Sequence, residues 1–269
     1  MKDEAGRQKV EGAQTTRNPT VDFLALKTFL DTLLHAERFA ALEEPNGVYV
    51  PPADPAREVR RLGLVLEPTP GWLGWRERET IDALFVHRPW DMGEEGQRAL
   101  ADAGVGALAY HLAFDERLTT GFNPTLAAAC GWGEPALIAE KDGRPLGMAC
   151  ALPGGAASFA AVARRVGEVF GGVEEVTPPA GGPGTLVTGA ACVGAMNDRC
   201  VRAAHAAGAG VYVTGQWRQP ARAAVRETGM GVVAIGHARS ERWGLRALAR
   251  LLREGPAGGV EMLIYDGRG

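Results

Sequence analysis

Apolar residues along this chain recur in two alternating rhythms, short unbroken bursts and longer stretches at helical spacing, and this alternation predicts an α/β fold. VDFLALKTFLDTLL, residues 21–34, predicts an amphipathic first helix with Val21, Leu24, Leu26, Phe29 and Leu33 on one face. After a Pro-rich turn at Pro51 and Pro52, RRLGLVLEP and IDALFVHRP predict two strands, the second ended by Pro89. GEEGQRALADAG, between Gly93 and Gly104, predicts a helix with a glycine stop. A strand over GALAYHLAF and a helix over NPTLAAACG follow.

The middle of the chain differs in texture. ALIAEKDGRPLGMACAL predicts a hairpin turning on Asp142 and Gly143, SFAAVARRVGEVFG a helix, and TPPAGGPG a Gly/Pro connector. Strict alternation then returns: a strand over GTLVTGAA, a helix over MNDRCVRAAHAAGAG, a strand over GVYVTG, a helix over PARAAVRETG, a strand over GVVAIG and a last helix. GVEMLIYD predicts a final strand.

Composition narrows the function classes. The net charge is −3, with Lys and Arg spread along the chain, so there is no electrostatic case for nucleic acid or an anionic membrane. The four cysteines, Cys130, Cys150, Cys192 and Cys200, lack CxxC spacing and read as reduced packing residues of a cytoplasmic protein. The opening MKDEAGRQKVEGAQTTRNPT is polar, and no apolar run reaches the roughly 18 residues that span a bilayer. Residues 1–20 are expected to be a disordered tail, and residues 21–269 a single compact unit. The glycine clusters GGPG and GAGV fall outside the GxGxxG and GxxxxGKS patterns, so they give no support to Rossmann or P-loop nucleotide binding.

Candidate chemistry gathers on the histidines. Of the five, His87, His111 and His237 each follow directly on an apolar strand run, where sites collect in open α/β sheets. Two are followed four residues on by a carboxylate: His111 by Asp115, and His237 by Glu241. Imidazole and carboxylate together suit zinc, iron, manganese or nickel, and a helical i to i+4 step puts both on one face. The same spacing also suits a solvated ion pair. His35 and His205 lie within helical patterns and read as surface or packing residues. Trp72, Trp75 and Trp90 read as packing or interface residues in loops.

IDALFVHRP, GALAYHLAFDERLTTGFNPTLAAACGW, VYVTGQWRQPA and IGHARSERWGLRALARLL together resemble the NGG-one-interacting-factor-three-like family, whose bacterial members are also called GTP cyclohydrolase I type 2 homologues. The resemblance runs from about residue 21 to about residue 266, and GHxxSE with the last helix is its most specific element. It implies two intertwined α/β lobes, a dinuclear metal centre in the cleft between them, and a toroidal homohexamer. It also implies His87, Asp115, His237 and Glu241 as ligands of one or two divalent ions.

The departures from the family pattern matter. Arg88 stands where the family has a second histidine, and a guanidinium cannot ligate a metal under ordinary conditions. Gln216 stands in place of an acid, and Gln219 and Pro220 in place of histidines. Two functions remain open. One is a metal-dependent hydrolase on a small anionic, phosphate- or nucleotide-like substrate, with Arg88 holding the anion and His111 moving a proton. The other is a non-catalytic assembly or interaction protein, with Arg88 paired to Asp91, Glu94 or Asp115 in a degenerate site.

Overall fold

The computed structural model describes residues 20–267, so all but the last residue of the expected tail lies outside the described residues. The first half runs α1 (Phe23–Leu34), β1 (Asn46–Val50), β2 (Arg61–Val65), α2 (Trp72–Arg78), β3 (Ala83–Val86), α3 (Gly93–Asp102), β4 (Gly106–Tyr110), α4 (Leu112–Leu118) and α5 (Pro124–Cys130). The second half opens with β5 (Ala136–Lys141), β6 (Arg144–Ala151), β7 (Ala157–Ser158), α6 (Phe159–Phe170), β8 (Glu175–Thr177), β9 (Leu186–Val187) and β10 (Gly189–Val193). It closes with α7 (Asp198–Ala206), β11 (Val211–Thr214), α8 (Arg222–Thr228), β12 (Gly231–Ala234), α9 (His237–Glu254) and β13 (Glu261–Tyr265).

Two mixed sheets result. The first has the order β1-β4-β3-β2-β13, parallel throughout except for β1. The second has the order β5-β6-β10-β11-β12-β8, with β10, β11 and β12 parallel at its centre. β7 and β9 make a small separate ribbon. The strands of both parallel cores are buried on both faces, which explains their unbroken apolar runs. The β5–β6 hairpin turns as the sequence predicts, on Asp142 (φ 53°) and Gly143 (φ 73°), the paired positive φ of a type I′ turn.

The lobes intertwine through the C-terminus. Leaving β12 of the second sheet, α9 crosses back and hands the chain to β13, which pairs with β2 of the first. On the way Leu245, Leu248, Ala249 and Leu252 enter the first lobe's core, while Trp243 and Ala247 enter the second's. All four cysteines are free and buried. Burial raises the Cys130 thiol to about 12 and that of Cys150 to about 11, so they pack rather than react. No helix among the described residues is long and apolar enough to cross a membrane.

Some expectations need correction. The buried face of α1 is Phe23, Leu26, Leu30 and Leu34, with Leu24 half exposed, because Asp22 caps the helix by accepting from the Ala25 amide and sets its rotation. The strand expected over GALAYHLAF stops at Tyr110, and LAFDERL coils into α4, its apolar residues turning into the core at helical spacing. The loop expected around Trp72 and Trp75 contains α2, a seven-residue helix too short to show a period. β1 was hidden because an edge strand around a glycine carries little alternation.

Where α4 and α9 cross, Gly244 removes the side chain that would separate them. A Cβ there would lie 2.7 Å from the Leu118 carbonyl oxygen and 2.7 Å from Phe114 Cζ. Replacing Gly244 by Ala gains up to about 1 kcal/mol of helix propensity but meets backbone, and such overpacking costs about 1–3 kcal/mol. Gly244→Ala is therefore expected to lower stability in urea unfolding; an unchanged or raised midpoint would show that the helices can part freely.

Candidate metal centre

β3 and β4 are adjacent and parallel, so the residues that follow them leave the first sheet side by side, and the His87 and His111 rings stand 5.3 Å apart. The chain coils at once into α4. The Asp115 amide donates to the His111 carbonyl, which brings the Asp115 carboxylate beneath the two imidazoles. From the second sheet, β12 ends at Ala234, Gly236 turns the chain at φ 91°, and α9 starts at His237 with Glu241 one turn on.

The geometry is convergent. His87 is fully buried, and its Nδ1–H donates to the Tyr110 carbonyl at 3.1 Å. Its Nε2 lies 3.2 Å from Glu241 Oε1 and 3.4 Å from Asp115 Oδ1. His111 Nδ1 contacts Glu44 Oε2 at 2.8 Å, leaving Nε2 3.8 Å from Asp115 Oδ2. His237 Nε2 is 3.0 Å from Glu241 Oε1. Both first-lobe imidazoles are thus tethered at Nδ1 to oxygen acceptors and present Nε2 inward, the orientation that outer hydrogen bonds impose on metal-binding histidines.

One ligand atom each from His87, His111 and Asp115 lies within 4.8 Å of the others. Donors bound about 2.0–2.2 Å from one ion are separated by roughly 3–4.4 Å, so a small contraction would seat a divalent ion. The donor set fits as well. Two carboxylates facing one imidazole nitrogen in a buried site leave a position that a proton or a cation must fill.

Electrostatics separates the two acids. Burial raises the pKa of Asp115 against the lowering influence of His87 and His111. Burial also works to raise Glu241, but hydrogen bonds from His237 and His87 outweigh it and hold that carboxyl at about 2. Arg88 Nη2 donates to the other oxygen of Glu241 at 2.7 Å. Arg88 Nε lies 3.0 Å from Glu67 Oε1 as an ion pair, without the alignment of a hydrogen bond.

A model of the Duf34/NIF3 (NGG1p interacting factor 3) family matches residues 23–267. The chain belongs to this family. Among Duf34/NIF3 relatives, a GTP cyclohydrolase 1 type 2 homolog of Allochromatium vinosum is 30% identical over 251 residues, covering 87% of this chain and 92% of that protein. One from Pseudomonas aeruginosa, of the same name, is 27% identical over 234 residues, covering 82% and 88%. The solved structure of protein ybgI superposes with a TM-score of 0.70 at 21% identity, over 93% of this chain and 99% of that one, which establishes the shared fold.

Within this Duf34/NIF3 fold the six residues singled out from the sequence, His87, Arg88, His111, Asp115, His237 and Glu241, form one contiguous cluster. Their arrangement differs from expectation in two places. His111 sits inside the converging donor set rather than behind it. Arg88 pairs with Glu67 and Glu241, not with Asp91, Glu94 or Asp115, because it follows β3 on the side facing α9 and β2. Gln216 lines the neighbouring cleft, and Gln219 opens a short 3-10 turn at 219–221. Sequence reasoning missed Glu44, which lies in an irregular loop where no period marks it.

Glu241→Gln would leave Arg88 and the adjoining histidines without their shared anion. The metal-free variant should lose on the order of 3 kcal/mol in urea unfolding at pH 7. The pKa of Glu241 is depressed from 4.5 to about 2, so its contribution is complete above pH 4.5 and fades as pH falls towards about 2. The gap between wild type and variant should close over that window, and a gap that is absent or insensitive to acid would contradict the assignment.

Proposed function

We propose that the protein is a metal-dependent hydrolase acting on a small anionic, phosphate- or nucleotide-like molecule. The carrying observation is the convergence of His87, His111 and Asp115 donor atoms beside a cleft of about 220 Å³ that Asp115, His237 and Glu241 also line. His87, His111 and Asp115 would hold a divalent ion, with Glu241 at its edge. Bound there, the ion would supply Lewis acidity, polarising a substrate oxygen and acidifying water. His87 and His111 are fixed by Tyr110 and Glu44, so the donors need little reorganisation. His237 faces the cleft, half exposed, with its pKa raised by the hydrogen bond to Glu241, and would hold a proton at Nε2 for the leaving group. In the reaction water adds its oxygen to the electrophilic centre, the bond to the leaving group breaks, the leaving group takes that proton, and the proton that water gives up replaces it on His237 Nε2.

One ion per chain fits better than two. The guanidinium of Arg88 supplies a fixed positive charge between Glu241 and Glu67, where the resemblance places a second histidine. The reading includes a cytoplasmic location, in line with four free thiols, and self-association, for which Leu137 on edge strand β5 and Ile264 on edge strand β13 offer exposed apolar side chains. The same Arg88 pairing favours a second reading, a non-catalytic assembly protein whose charged cluster ties the lobes together.

Hydrolysis of a panel of small phosphate esters and nucleotides separates the two. Turnover that chelation abolishes and one added divalent metal restores is expected; no turnover with the metal-loaded protein would leave the assembly reading. Elemental analysis should give about one ion per chain, and Arg88→His should raise this towards two. An unchanged ratio in Arg88→His would contradict the role given to the guanidinium.

A further inference from the structure

The cleft beside the metal centre carries more than metal chemistry. Its far wall is the β5–β6 hairpin, with Lys141 and Arg144 on either side of the turn, and Arg218 stands across from it after β11. Away from the metal donors, Glu116 is the carboxylate that lines the cleft with these three cations, and Asp142 stands beside Arg144 outside the lining.

Arg144 is built for a ligand. Its side chain is only 15% exposed, and its guanidinium lies 5.0 Å over the Phe39 ring. Its carboxylate neighbours stand off at 3.8 Å (Glu116 Oε2) and 3.7 Å (Asp142 Oδ2), beyond hydrogen-bond reach. Its N–H donors therefore have no acceptor among the described residues. Two further groups in the same cleft lack a hydrogen bond. Ser240 Oγ and Glu116 Oε1 are buried, on side chains more than nine-tenths buried, and Glu116 Oε1 has only the Arg38 guanidinium at 3.8 Å as an ion pair. Buried polar atoms without a hydrogen bond are costly, and two of them beside a guanidinium with unused donors mark a place that a polar ligand completes.

We infer that this cleft is an oxyanion subsite in which the Arg144 fork anchors a phosphate or carboxylate group, with Lys141 and Arg218 at its rim. A hydroxyl or amino group on the ligand would donate to Glu116 Oε1, and the Ser240 hydroxyl would meet the portion nearest the metal donors. Arg88 is not the anchor, because it is already held by Glu241 and Glu67. The inference rests on the hydrolase reading only for which end of the ligand points at the ion. At about 220 Å³ the cleft lies below the roughly 300 Å³ at which drug-sized sites begin, so the enclosed portion is small.

The test is calorimetric titration of the full-length protein, as purified and after chelation, with inorganic phosphate and separately with acetate. Saturable binding is expected in both states, and the tighter anion identifies the group. Arg144→Gln should weaken it about tenfold or more, as loss of a charge-assisted fork implies. Arg144→Lys, which keeps the charge but not the planar fork, should remain several-fold weaker than wild type. Lys141→Gln, on an exposed side chain and without risk to folding, should weaken it about two- to fivefold. No binding after chelation, or equal binding by wild type, Arg144→Gln and Lys141→Gln, would overturn the inference. Metal content of the same samples reports separately on the metal centre, so either reading can fail alone.

Discussion

A single carboxylate buried between the lobes organises this molecule. Glu241 is almost inaccessible, yet it stays ionised because His87, Arg88 and His237 surround it from positions about 150 residues away and from its own helix turn. A buried charge is tolerated only when paired and hydrogen-bonded. The two sheets therefore have to close on each other in one register, with β3 and β4 of the first ending opposite the start of α9.

That closure depends on α9. One helix contributes to both hydrophobic cores and delivers the last strand to the first sheet, so parting the lobes would strip α9 from one core or the other. Its contact with α4 through Gly244 sets the spacing between Asp115 and Glu241, the acids that each helix carries. The site then follows the general rule for open α/β sheets, in which side chains meet beyond the carboxyl ends of parallel strands. Here two such sheets contribute to one cleft.

The sequence made much of this legible, for identifiable reasons. Parallel strands buried on both faces leave unbroken apolar bursts, and the histidines that end them stand out because the chain has so few. The pairs His111–Asp115 and His237–Glu241 were readable from their four-residue spacing, and the second also from the helical period of the chain that follows it. What stayed hidden depends on rotation and on contacts distant in sequence. The turn from strand to helix at His111 moves that residue from the periphery into the donor set. The partners of Arg88, Glu67 and Glu241, are set by packing of α9 on the first sheet, which no local pattern encodes. Glu44 and Arg144 sit in an irregular loop and beside a hairpin turn, where only the folded chain discloses that one steadies His111 and the other overhangs the cleft.

Anomalous diffraction from crystals soaked in zinc or manganese decides whether the buried cluster is a cation site. One strong peak per chain is expected within about 2.0–2.2 Å of His87 Nε2, His111 Nε2 and an Asp115 oxygen. Peaks confined to surface carboxylates, with Glu241 still bound to His87 and His237 at full metal concentration, would contradict it.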